Sequence, residues 1–273
     1  MDARTSTAAE DLKSRLKATW MAGDFGRIAR VTEAAAEAFI ARRQLGPGTR
    51  VLDVACGTGN LAIPAARSGA VVVGVDIAPN LLDQARARAR QNRLDVTFEE
   101  GDAEALPFDE GAFDVVLSMF GAMFAPNPGL VAKELARVCR PEGKIAMANW
   151  TPNGFLGEVF RTTGKHVSPP TGMPSPLLWG DETAVRQRLA PYTSDLRLTR
   201  SMAILCFDAS VAETVALYRT YYGPTVRAFA TLTETGQAAL QRDLEDLCGR
   251  YNLAQNGTTH IAAEFLEIVA TRS

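Results

Sequence analysis

Three aspartates and one glycine turn carry the sharpest chemical signal in the chain. Asp53 lies inside an apolar run, residues 51–55, that leads into Cys56-Gly57-Thr58-Gly59-Asn60. Asp76 closes the next apolar run, and Asp102 follows a third, within Gly101-Asp102-Ala103-Glu104. Glycines at such a turn let backbone approach a ligand with no Cβ in the way. The helix that starts beyond them offers unpaired N–H groups. A carboxylate at the end of the second strand suits the two hydroxyls of a ribose. An Asp followed by a small residue after the third suits adenine: the carboxylate accepts from the amino group and the next N–H caps a ring nitrogen. Asp53 then separates two nucleoside ligands. Gly57-x-Gly59-x-x-Ala62 also satisfies the dinucleotide fingerprint, but a carboxylate four residues before Gly57 would repel a diphosphate. It would attract a cationic α-amino group, such as the methionine end of S-adenosylmethionine.

Those residues need strands that end along one edge, and the pattern supplies them. Short apolar runs at 51–55, 71–75, 96–99, 113–118 and 144–149 read as strands. Helical spacing at 28–39, 60–68, 81–92 and 129–139 alternates with them. Strand and helix in alternation predict a parallel sheet covered on both faces, an α/β fold with right-handed connections. Residues 151–176 are rich in Gly and Pro and hold one short helix; 181–189 is helical. Two further strands are expected at 196–207 and 261–270, with about three helices between them. One of those helices places Val211, Val215, Tyr218 and Tyr222 on one face. Residues 1–11 are expected to be a frayed tail.

The 273 residues are 47% apolar and 22% charged, with a net charge of −2. That is enough to bury a full core, and it shows no basic face of the kind nucleic-acid binding requires. No apolar run reaches the length of a bilayer span, and residues 1–17 lack the apolar core of a signal peptide. Cys56, Cys139, Cys206 and Cys248 are too scattered for a metal-ligand motif. A cytoplasmic protein without nucleic-acid or membrane partners is expected.

The segments 53–59, 76–77, 102–103, 108–116 and 137–144 resemble, in order, the motifs of the class I S-adenosylmethionine-dependent methyltransferases, in particular the ubiquinone/menaquinone-methyltransferase-like branch. The resemblance covers about residues 27–150. It implies a Rossmann-like doubly wound sheet of seven strands, order 3-2-1-4-5-7-6, the last antiparallel. It also implies S-adenosyl-L-methionine as cofactor and S-adenosyl-L-homocysteine as product. Asp53, Ala55, Cys56, Gly57, Thr58 and Gly59 would form the cofactor loop, with Ala55 standing where many members carry Gly. Asp76 would take the ribose, Ile77 would lie beside the adenine, and Asp102 and Ala103 would pair with it. Ser118 and Met119, at the end of the fourth strand, fall where the family contacts cofactor. The Asn/Asp-Pro-Pro-aromatic motif of nucleic-acid amino-methyltransferases is absent there, as is the acidic ligand of metal-dependent catechol-type enzymes. No metal is expected.

On this reading residues 1–273 form one methyltransferase domain. Its cofactor-binding core is 27–150, insertions at 151–195 and 208–258 cover the substrate, and 1–26 is a tail that doubles as a lid. Phe120, Met123, Phe124 and Trp150 follow strand ends and are candidates to wall an apolar substrate pocket. Phe25 joins them from the lid, and Tyr218 and Tyr222 from the later insertion. The helices of that insertion would otherwise form a homodimer interface. His166 is the candidate general base, His260 reads as structural, and Cys56 as a small loop residue. The expected reaction is in-line methyl transfer to O, N or C of a small, aromatic or apolar metabolite. The alternatives are a protein or RNA acceptor, an NAD-dependent oxidoreductase, and a non-catalytic cofactor-binding module.

Overall fold

The computed structural model describes residues 3–169 and 173–273. Seven strands form one sheet in the order β3-β2-β1-β4-β5-β7-β6. They are β1 (Arg50–Val54), β2 (Val71–Asp76), β3 (Val96–Glu100), β4 (Phe113–Met119), β5 (Cys139–Trp150), β6 (Thr193–Phe207) and β7 (Thr259–Arg272). The first five are mutually parallel, and β7 runs antiparallel between β5 and β6. This is the order and orientation that the resemblance implied. The central strands are apolar without alternation because helices cover both faces. Val51, Leu52, Val116, Leu117, Ile145 and Met147 are all fully buried.

The helices are α1 (Ala3–Trp20), α2 (Phe25–Ala29), α3 (Glu33–Ala41), α4 (Ala62–Arg67), α5 (Pro79–Gln91), α6 (Pro128–Val138), α7 (Phe155–Gly164), α8 (Glu182–Leu189), α9 (Val211–Tyr221), α10 (Gly223–Ala230) and α11 (Glu234–Tyr251). Pro64 sits in the first turn of α4, where its missing N–H costs nothing. Helices α9 and α11 start at Ser210 and Thr233, whose hydroxyls accept from Glu213 N and Gly236 N.

Two expectations need correction. Residues 3–11 are not a frayed tail; they open α1. Its later turns are anchored by Lys13, which pairs with Asp102 at 2.6 Å and Glu104 at 2.8 Å, and by Lys17, which pairs with Glu100. The helix expected over 28–39 is broken by a 3-10 turn, Arg30–Thr32. Asn60 fixes that break: its Nδ2 donates to the Ala29 carbonyl at 2.8 Å and to Thr32 Oγ1 at 3.1 Å.

The helices between β6 and β7 pack over the end of the sheet with the N-terminal helices: α1 meets α10, and α2 meets α9. The approach is close. A Cβ on Gly223 would lie 1.9 Å from the Thr19 carbonyl oxygen, and one on Gly23, at φ +75°, 2.6 Å from that of Tyr221. Among the described residues no helix is long and apolar enough to cross a membrane.

Candidate functional site

The turn after β1 takes its shape from three residues in the left-handed region, Ala55 (φ 55°), Gly57 (φ 53°) and Gly59 (φ 84°). Ala55 is the position where the resemblance expects Gly, and its backbone is what favours Gly there. A Cβ on Gly57 would meet nothing but the Phe25 ring, at 3.7 Å, and would project into the space a ligand would use. Gly59 packs instead on Phe98, Ile63 and Ala85, so its role is the turn itself. The Cys56 N–H donates to the Val75 carbonyl at 3.0 Å and fastens the turn to β2. From outside, Arg88 of α5 donates to the Thr58 carbonyl and Asn60 Oδ1, both at 2.7 Å.

The carboxylates stand at the strand ends around this turn. Asp53 is 1% exposed and its Oδ2 accepts from Ala62 N at 3.0 Å. Burial pushes its pKa up to about 8, the Ala62 N–H opposing the rise and the Asp76 charge adding to it. Asp76 accepts from Gly57 N at 2.8 Å through Oδ2 and from Ala78 N at 2.9 Å through Oδ1. Burial raises it too, against those N–H groups. Asp102 accepts from Glu104 N at 2.9 Å through Oδ1, while Oδ2 faces Lys13. Burial, with the charges of Asp53 and Asp76, lifts the Cys56 thiol well above its ordinary value. A thiol so protonated is a poor nucleophile.

These groups line one cavity together with an apolar chamber. Asp53, Ala55, Cys56, Gly57, Thr58, Asp76, Ile77, Asp102, Ala103 and Met119 form the polar half. Phe25, Phe120, Phe124, Trp150, Tyr218 and Tyr222 wall the other. Phe120 stacks on Trp150 at 3.6 Å with 5° between planes. Trp20 stands edge-on to Phe25, Phe124 and Tyr222, at 5.6, 5.0 and 5.9 Å. Gly121 lets the turn after β4 close against the cofactor loop, since a Cβ there would fall 2.4 Å from the Ala55 carbonyl oxygen.

Three candidates lie outside the cavity lining, besides Gly59. Ser118 precedes Met119 on β4, so strand alternation sends it to the opposite face; it is fully buried and its Oγ accepts from Ala122 N at 3.2 Å. Met123 is the middle residue of a 3-10 turn, Ala122–Phe124, and faces the core at 1% exposure while its two neighbours face the cavity. His166 follows α7, pairs through Nε2 with Asp243 of α11 at 2.8 Å and is not among the residues lining the cavity. His260 also lies outside the lining, its backbone N–H held by Asn252. Lys13, Leu16, Trp20, Leu156 and Leu205 line the cavity without having been singled out as site residues. Lys13 carried no local signal, because its partner Asp102 lies 89 residues away. Among the described residues no three His, Cys, Asp or Glu side chains group to hold a metal ion.

The donor set matches the cofactor that the motifs imply: carboxylates for a cation and a diol, and a turn open where a Cβ would intrude, while Lys13, the basic residue among the described lining residues, is held by Asp102 and Glu104. Comparison with known proteins agrees. A family model described as a methyltransferase domain matches residues 51–143. The Rv1405c protein of Mycobacterium tuberculosis is 38% identical over 247 residues, which cover 89% of this chain and 90% of that protein. A demethylmenaquinone methyltransferase of Thermus thermophilus is 41% identical over 124 residues, 44% of this chain and 56% of its own. The crystal structure of the YcgJ protein from Bacillus subtilis shares the fold, with a TM-score of 0.62 at 17% identity, covering 87% of this chain and 97% of that one. The NAD-dependent oxidoreductase alternative falls with these matches. The chain belongs to the class I S-adenosylmethionine-dependent methyltransferases, and S-adenosylmethionine is its cofactor.

Proposed function

We propose that this enzyme methylates a small apolar metabolite enclosed between the cofactor turn and the helical roof. In this reading Asp53 holds the α-amino group, Asp76 the ribose hydroxyls, and Asp102 with the Ala103 N–H the adenine edge. When bound, the cofactor supplies a methyl group already activated by its sulfonium. The protein's task is then alignment and exclusion of water, and orientation alone is worth up to roughly 7–11 kcal/mol in well-ordered cases.

The observation that carries the proposal is the continuity of one cavity from the carboxylates to an aromatic chamber walled from α1, α2, β4, β5, β6 and α9. Such a chamber suits a desolvated ring or chain better than a polymer segment that must stay hydrated. Because α9 contributes walls to the cavity, the insertion 208–258 serves as cover, and 1–26 closes the other side through Trp20 and Phe25. The Thermus relative, named for a demethylmenaquinone acceptor, agrees with an apolar substrate.

The test is transfer from methyl-labelled cofactor into a cell extract separated into protein, RNA and organic-soluble low-mass fractions. Label should enter the low-mass organic fraction, where mass spectrometry identifies the acceptor. Label confined to protein or RNA would overturn the proposal.

A further inference from the structure

We propose that Tyr218 and Tyr222 form a paired hydrogen-bond donor for an oxygen on the acceptor, which is therefore an apolar ring compound carrying a phenolic or enolic oxygen. This rests on the small apolar acceptor proposed above and narrows it. Tyr218 lies in the last turn of α9 and Tyr222 is the extended residue that ends it, its N–H donating to the Tyr218 carbonyl at 3.0 Å; their ring centroids are 5.6 Å apart. Both line the cavity. A tyrosine placed in a protein interior usually finds a partner for its hydroxyl, as Tyr251 does by donating to Glu158 at 2.8 Å. Among the described residues neither Tyr218 nor Tyr222 has such a partner, and neither hydroxyl is among the unpartnered atoms sealed in the core. Both side chains line the cavity, and on this proposal their hydroxyls point into it.

Their surroundings say what they can meet. Tyr222 packs edge-on to Trp20 and lies 6.1 Å from Phe25, the ring that covers Gly57. Tyr218 leans on Phe207 at 5.8 Å. The charged residues lining the cavity are Lys13, Asp53, Asp76 and Asp102, all belonging to the polar half. Among the described residues none that walls the chamber is charged, so an acceptor bearing a carboxylate or phosphate would be left unpaired there. Burial lifts both phenols well above their ordinary range, so they stay protonated and donate. Two neutral donors at the wall of an aromatic chamber suit a neutral oxygen attached to a ring.

Equilibrium dialysis of the S-adenosylhomocysteine-loaded enzyme against 2-naphthol and naphthalene tests this. The wild type should prefer 2-naphthol about tenfold, and Tyr218→Phe and Tyr222→Phe should each remove about three- to tenfold of its affinity, the reach of one neutral hydrogen bond. Naphthalene affinity should stay level in both variants. Thermal unfolding of the ligand-free variants should not fall, because the hydroxyls hold no other part of the protein. Equal binding of the two probes by the wild type, or a variant that loses both probes or unfolds earlier, would overturn the tyrosine assignment and leave the apolar chamber standing. Binding of neither probe would overturn both.

Discussion

The role proposed for Asp53 makes cofactor affinity a function of pH. Its carboxyl is 1% exposed, and burial sets its pKa at about 8. To hold the α-amino group of the cofactor it must be ionised. At pH 6 it stands about two units below its pKa, so ionising it to receive the cation costs roughly 2.7 kcal/mol. Affinity for S-adenosylhomocysteine should therefore rise about tenfold per unit from pH 6 toward 8 and then level off. Titration calorimetry at pH 6, 7 and 8, in two buffers of different ionisation enthalpy, reads affinity and proton release together. About one proton should leave per ligand bound at pH 6, and fewer at pH 8. 5′-Methylthioadenosine keeps the nucleoside and lacks the amino acid, so its affinity should stay flat. Asp53→Asn should flatten the S-adenosylhomocysteine profile and lower its plateau. A flat wild-type profile, or the same slope with methylthioadenosine, would refute the assignment. The shift has a stability sign as well. Between its ordinary value of 3.8 and about 8 the folded carboxyl holds a proton that the unfolded chain has released. Asp53 thus destabilises the ligand-free protein increasingly as pH rises through that window, and ligand should raise Tm more at pH 8 than at pH 6.

Ala55→Gly should stabilise the protein by roughly 1 kcal/mol, since an L-residue at φ 55° carries about that strain; a lower Tm in thermal unfolding would contradict it. His166→Ala should leave methyl transfer at the wild-type rate, because its imidazole pairs with Asp243 outside the cavity; a large fall in kcat would restore it as a base. Lys13→Met removes the pairs that tie α1 to Asp102 and Glu104. At this partial exposure S-adenosylhomocysteine should leave about two- to fivefold faster, and stopped-flow release at an unchanged rate would detach α1 from cofactor retention.

The cofactor half was legible because its determinants are local. Asp53, Ala55, Gly57 and Gly59 fall within seven residues, and their strand–turn–helix context fixes what each can face. Asp76 closes the next strand and Asp102 follows the third by two residues, which makes their position a matter of counting along the sheet. The errors arose where tertiary contacts override local pattern. The polar start of α1 looked frayed because its anchors, Asp102 and Glu104, lie about ninety residues away. Nothing in residues 28–39 announces the 3-10 break, because the side chain that fixes it is Asn60. One step of strand alternation turns the Ser118 side chain away from the cavity, and one step around a tight turn sends Met123 into the core.

The acceptor half was read less well for a different physical reason. Its walls come from α1, α2, the turn after β4, the end of β5, β6 and α9, which are far apart in sequence. Each contributes one or two apolar residues, and the periodicity of a wall is the same as that of a core. Trp20, Phe25 and Tyr222 on these elements would look no different in sequence if the space between them were filled by protein. What tells a wall from a core is the polar remainder. A core usually closes over tyrosines whose hydroxyls are matched, and among the described residues those of Tyr218 and Tyr222 have no hydrogen-bond partner. An unmatched donor pair facing an otherwise apolar space is a requirement placed on something else, and the oxygen that satisfies it must arrive with the substrate.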